Sequence, residues 1–110
     1  MLMRGKLPFP RWILNAQVEV VQTELSEDGE PVETKLYAGP CNFDEKSKQV
    51  LDAERRLVRL SGRIIIEGDI APGQHIEGLV RVSGVERTIY RTKRPRNPDG
   101  SIFSTELELM

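Results

Sequence analysis

The sequence predicts a mainly β fold, a small antiparallel β-barrel or sandwich of about six strands. Three observations predict it. Apolar residues recur with period two in several short runs, which lines them up on one face of a strand. Reversals rich in Gly, Asp, Asn and Pro separate those runs. The chain has 110 residues, room for one domain around one core. Residues 1–13 read as an N-terminal arm and residues 14–110 as a single barrel domain.

In the arm, Leu7-Pro8-Phe9-Pro10 favours an extended path, because each proline fixes its own φ and restricts the residue before it. Phe9 and Trp12 are the candidate anchors of this apolar segment, docking on the chain's own barrel or on a neighbouring subunit. From Leu14 the period becomes two: Leu14, Ala16, Val18 and Val20 face one way, and Asn15, Gln17 and Glu19 the other. Ser26-Glu27-Asp28-Gly29 supplies a tight reversal. The return strand puts Val32, Thr34 and Leu36 on one face and Glu33, Lys35 and Tyr37 on the other. Gly39-Pro40 then interrupts the pattern.

Residues 44–57 are the ambiguous stretch. Their composition favours helix, and Val50, Ala53 and Leu57 fall at helical spacing. A short helix and a long excursion between strands both fit. Alternation resumes with Val58, Leu60, Gly62, Ile64 and Ile66, opposed by Arg59, Ser61 and Arg63; Ile65 breaks the polar face. Gly68-Asp69-Ile70-Ala71-Pro72-Gly73 is a tight connection. Ile76 to Val82 is the next strand, with Val80 and Val82 inward. Ser83-Gly84 turns it into a strand from Val85 to Thr92. Asn97-Pro98-Asp99-Gly100 is a strong turn signal. The last strand sets Phe103, Thr105, Leu107 and Leu109 against a polar face of Ser104, Glu106 and Glu108.

Composition bounds the function. Apolar residues make up 38% and charged residues 30%, a soluble, globular balance. No apolar run approaches the roughly 18 residues of a membrane helix, and the first residues carry no signal-peptide block. The single Cys41 excludes an internal disulfide and favours a reducing compartment, the cytoplasm. Cys41 reads as a small buried apolar side chain. His75 sits in a loop with no second metal ligand nearby in sequence. Asp69 reads as a turn stabiliser acting on its own backbone amides. There is no Gly-rich phosphate loop and no nucleophile motif. The expectation is a non-enzyme, with no catalytic, cofactor or metal residues.

Charge is more informative. The net charge is −1, which argues against a freestanding nucleic-acid binder. Yet Glu24, Glu27, Asp28, Glu30 and Glu33 crowd the first hairpin, a candidate subunit-contact patch. Arg91, Lys93, Arg94 and Arg96, preceded by Arg87, form a candidate interface or DNA-facing run. Three readings are open. The patches are solvated faces, or they meet head to tail in a ring, or the basic run touches the DNA backbone. No aromatic residue follows Tyr90 in that run, so base stacking is not supported.

One resemblance adds to this. The quoted runs are Gly68-Asp69-Ile70-Ala71-Pro72, Val80-Arg81-Val82-Ser83-Gly84-Val85, Ile89-Tyr90-Arg91, Arg96-Asn97-Pro98-Asp99-Gly100 and Thr105-Glu106-Leu107-Glu108-Leu109-Met110. Together they resemble the tailed-bacteriophage head–tail joining proteins, also termed head-completion, head-closure or stopper proteins. A Gly-Asp-aliphatic turn, a strand, a glycine turn, a strand, a Pro-Asp-Gly turn and a Leu-Glu-Leu strand come in that order. The likeness covers the last 45 residues or so well and the first half loosely. The arm is longer and more apolar, and the 44–57 excursion more helix-like, than that pattern.

The resemblance implies a virion structural protein at the head–tail interface, assembled in the host cytoplasm. It implies a homo-oligomeric ring of six or twelve copies, contacting portal or adaptor and tail-terminator proteins. A loop from each subunit would close the channel and retain packaged DNA, with non-specific DNA contact possible. Residues 44–57 and residues 91–100 compete for that loop. No membrane and no active site are implied. The alternative is a small-barrel module for nucleic-acid binding or protein interaction.

Overall fold

The structure is a computed structural model and describes residues 7–110; the first six residues of the arm lie outside it. A 3₁₀ turn, Arg11–Ile13, precedes eight strands: β1 (Ala16–Leu25), β2 (Pro31–Asp44), β3 (Lys48–Leu51), β4 (Leu57–Leu60), β5 (Gly62–Glu67), β6 (Gly78–Val82), β7 (Val85–Lys93) and β8 (Ser104–Leu109). Six of them close a barrel in the order β1-β2-β5-β8-β7-β6, every pairing antiparallel. The mainly β fold read from the sequence is therefore present. β3 and β4 stand outside the barrel as a two-stranded sheet.

The period-two pattern places the core. Val18, Val20, Cys41, Ile64, Ile66, Val80, Val82, Ile89, Leu107 and Leu109 point inward and are buried together. Ala71 and Ile76, from the connection after β5, join them from one end. That connection is tied down by Thr105, whose Oγ1 donates to the Gly68 carbonyl at 2.7 Å. Asp69 Oδ1 accepts from the Ala71 amide at 3.1 Å, the turn role expected of it.

Register decides which loops share an end. Gln22 of β1 opposes Gly78 of β6, and Asp44 of β2 opposes Arg63 of β5. One end therefore carries the β1–β2 tip, the 68–77 connection and the 97–101 turn. The other carries the β2–β3 join, the Ser83–Gly84 turn and the C-terminus. Gly78 of β6 sits tight against β1: a Cβ there would lie 2.0 Å from the Val21 carbonyl oxygen.

One open expectation, an excursion rather than a helix at residues 44–57, is decided, and two others are corrected. Residues 44–57 contain no helix. They enter a hairpin in which Val50 opposes Val58 and Leu51 opposes Leu57. The helical composition loses to a side-chain-capped turn. Asp52 Oδ1 accepts from the amides of Glu54 at 2.9 Å and Arg56 at 2.8 Å, and Arg55 takes a left-handed φ of 63°. Second, the run from Val58 to Ile66 divides at Ser61 into β4 and β5. Third, the return strand does not alternate simply. The register shifts at Val20/Val21, so Val20 opposes Tyr37 and Val21 opposes Lys35. Leu36 falls in this bulge, and both Leu36 and Tyr37 pack against the core.

Candidate interaction surface

The basic run of β7 is held by partners inside the chain. Arg91 Nε lies 2.9 Å and Lys93 Nζ 3.1 Å from the same oxygen of Glu108. Arg94 pairs with Asp69 at 3.3 Å and donates to the carbonyls of Ala71 and Gln74. Arg96 donates to the Gly100 carbonyl at 2.6 Å. The solvent-face reading of Glu108 is corrected here, because it is 4% exposed. Burial alone would push its carboxyl up, but the hydrogen bonds from Arg91 and Lys93 outweigh that and hold it below the ordinary carboxylate range.

The acidic hairpin is a ribbon that outruns the barrel. β6 pairs with β1 only from Val18 to Gln22, and β5 pairs with β2 only from Asn42 to Asp44. Glu24, Leu25, Pro31 and Val32 therefore pair only across the ribbon. Glu24, Glu27, Asp28 and Glu30 are exposed on it. They have no ion-pair partner among the described residues. Glu33 differs. Arg81 binds it at 3.1 Å and also binds Glu19 at 2.8 Å and Glu86 at 3.1 Å, clamping the ribbon's base to β6 and β7. These carboxylates raise the Arg81 guanidinium above its usual value, and Arg81 with Lys35 holds Glu19 below its own.

The sequence reading missed a second basic element. Lys46, Lys48, Arg55 and Arg59 lie in or beside the β3–β4 hairpin and are exposed. None has an ion-pair partner among the described residues. The available signal was the number of basic residues between 46 and 59, since the strands there are four residues each. The hairpin's base is pinned by Arg87, which reaches Glu45 at 3.6 Å and stacks over Phe43 at 5.3 Å. Val50 and Val58 share its half-buried side with Leu60, which is 2% exposed. On the opposite side Leu51 and Leu57 form a cross-strand pair left 64% and 68% exposed. A cleft of about 220 Å³ runs under the hairpin, lined by Lys46, Lys48, Arg63 and Lys93 and by Asp44, Glu106 and Glu108.

The arm docks on its own barrel over residues 7–13. Phe9 packs on Phe103 with ring centroids 5.4 Å apart. The Leu7 amide donates to Asn97 Oδ1, Arg11 binds Glu67 at 2.7 Å, and Asn42 donates to the Ile13 carbonyl. Trp12 takes no part and is 86% exposed.

The remaining chemistry-bearing side chains are separated. Cys41 is fully buried in the core, and burial pushes its thiol up to about 11. His75 is exposed, with Nε2 3.1 Å from Glu77. Among the described residues no group of three or more His, Cys, Asp or Glu side chains could hold a metal ion, and no helix is long and apolar enough to cross a membrane. No family model, curated protein or solved structure matches the chain.

Proposed function

We propose that the chain is a structural, non-catalytic subunit of a homo-oligomeric ring, the head-closure or stopper component that joins phage head to tail. One observation carries the assembly part of this reading. Acids on the β1–β2 ribbon and cations at the β3–β4 hairpin, none with an ion-pair partner among the described residues, lie toward opposite ends of the same strand, β2, both outside a closed barrel. Within one chain the two charge sets stay apart, whereas a ring uses complementary surfaces on every copy. The order of turns and strands from Gly68 to Met110 supports the phage assignment. In that role the protein sits at the head–tail interface, between portal or adaptor and tail-terminator proteins, and helps retain packaged DNA.

The test is assembly. Purified protein at high concentration, or added to heads that carry portal and adaptor, is expected to form rings visible by electron microscopy. Phage particles lacking it are expected to lose their DNA. A protein that stays monomeric with all these components, from particles that keep their DNA without it, overturns the reading.

A second reading, a small-barrel module binding nucleic acid, rests on Lys46, Lys48, Arg55 and Arg59 having no acidic partner among the described residues. Tight, salt-sensitive DNA binding by the free monomer, lost when these four are neutralised, would favour it.

A further inference from the structure

We infer that the acidic β1–β2 ribbon of one copy docks on the outer side of the β3–β4 hairpin of the next. This deepens the ring reading above and rests on it. The two surfaces match in composition as well as in charge. On the ribbon, Leu25 is 76% exposed and shares a face with Pro31, and Glu27 and Glu30 lie at the turn beside them. On the hairpin, the exposed Leu51–Leu57 pair is flanked by Arg59 and by Arg55 at the turn. Each surface has an apolar centre and a charged rim, the usual anatomy of a specific contact, and the rims have opposite sign.

Backbone chemistry agrees. β3 and β4 pair only with each other, so each has an outer edge with unpaired amides and carbonyls. The ribbon beyond Thr23 has the same open edges. Open edges are usually blunted or covered, and a strand from a neighbouring copy covers both at once.

Geometry makes the contact intermolecular and directional. The ribbon leaves the N-terminal end of β2, and Lys46 and Lys48 follow its C-terminal end. β2 is 14 residues long, a contour of roughly 45 Å at about 3.3 Å per residue. A surface at one end that fits a surface at the other end of an identical chain is heterologous. It propagates from copy to copy, and closes into a ring where the rotation between copies closes.

The test uses two variants. One carries Glu27→Lys and Glu30→Lys; the other carries Arg55→Glu and Arg59→Glu. All four positions are exposed, and thermal melts check that both variants fold. Each variant alone is expected to lose at least roughly tenfold in self-association by sedimentation, the effect of a few unfavourable rim charges. Mixed together, each basic ribbon meets an acidic hairpin and each acidic ribbon a basic one, so assembly is expected to return.

Rings that form from either variant alone would overturn this contact and leave the ring reading standing. A mixture that fails to reassemble from two folded variants would also overturn it. Wild-type protein that never associates, with or without phage components, would remove both. If the hairpin variant lost DNA binding and kept normal assembly, the hairpin would be a nucleic-acid element and the contact would be refuted.

Discussion

Glu108 provides a sharp test of how the barrel's outer face is held. Its side chain is 5% exposed, whereas those of Arg91 and Lys93 are 44% and 49% exposed. The two halves of this cluster should therefore respond differently. Glu108→Gln removes the buried charge, and water can rehydrate both cations. The expected loss is about 1–2 kcal/mol. Replacing Arg91 and Lys93 together by Met leaves a buried carboxylate with no cation, at an expected cost of about 3–5 kcal/mol. Their pH dependences should also diverge. In the native protein the Glu108 carboxyl lies below its ordinary value. Its contribution is therefore complete above about pH 4.3 and is lost as pH falls through the lower native value. The gap between wild type and Glu108→Gln should close in acid. In the double Met variant the stranded carboxyl is raised instead, so that deficit should already narrow as pH falls through the raised value. Urea denaturation of the three proteins from neutral pH to pH 3 reads all of this. Equal losses at neutral pH, or a Glu108→Gln gap that persists in acid, would refute the reasoning.

Three further outcomes are expected. Gly78→Ala should lower stability by about 2 kcal/mol or more, because its Cβ would meet the Val21 carbonyl oxygen at 2.0 Å; an unchanged thermal melt would sink that assignment. Arg55→Gly should raise stability by about 1 kcal/mol, since Arg55 holds a left-handed φ of 63° in the β3–β4 turn, and a loss in denaturant titration would contradict it. Phe9→Ala should cost about 1–2 kcal/mol through its contact with Phe103. Trp12→Ala should stay within about 0.5 kcal/mol, and the fluorescence of this sole tryptophan should be that of a solvated indole in the monomer.

The barrel was legible because its strands bury one face and leave the other wet. Val18 and Val20, Val80 and Val82, and Leu107 and Leu109 alternate strictly, and all are buried. Asp-Gly and Ser-Gly reversals fix where strands turn. The β3–β4 hairpin was not legible. Its two strands are four residues each, too short to show a period against a turn made of good helix formers. The turn is closed by the Asp52 side chain, bonding two amides beyond it, together with backbone bonds between Asp52 and Arg55 and between Asp52 and Arg56. Glu108 misled for a different reason. Alternation assigns it to the outer face correctly, but alternation says nothing about what covers an outer face. The charge runs were visible as lists of residues; which charges are already paired depends on cross-strand register, and that emerges only when β7 meets β8.

Register also changes what the charge pattern means. Read along the chain, the natural counterpart of the acidic ribbon is the run from Arg91 to Arg96. In the folded protein that run neighbours the 97–101 turn, at the ribbon's own end of the barrel, and Arg91, Lys93 and Arg94 are engaged with Glu108 and Asp69. Using those cations in an external contact would strip the buried Glu108 and the half-buried Asp69 of their partners. Lys46, Lys48, Arg55 and Arg59 carry no such penalty, since no acid of the described chain depends on them. They also lie outside the barrel, where movement of the hairpin leaves the core intact. The ring proposed above would use this second set, because none of these four cations has an ion-pair partner among the described residues.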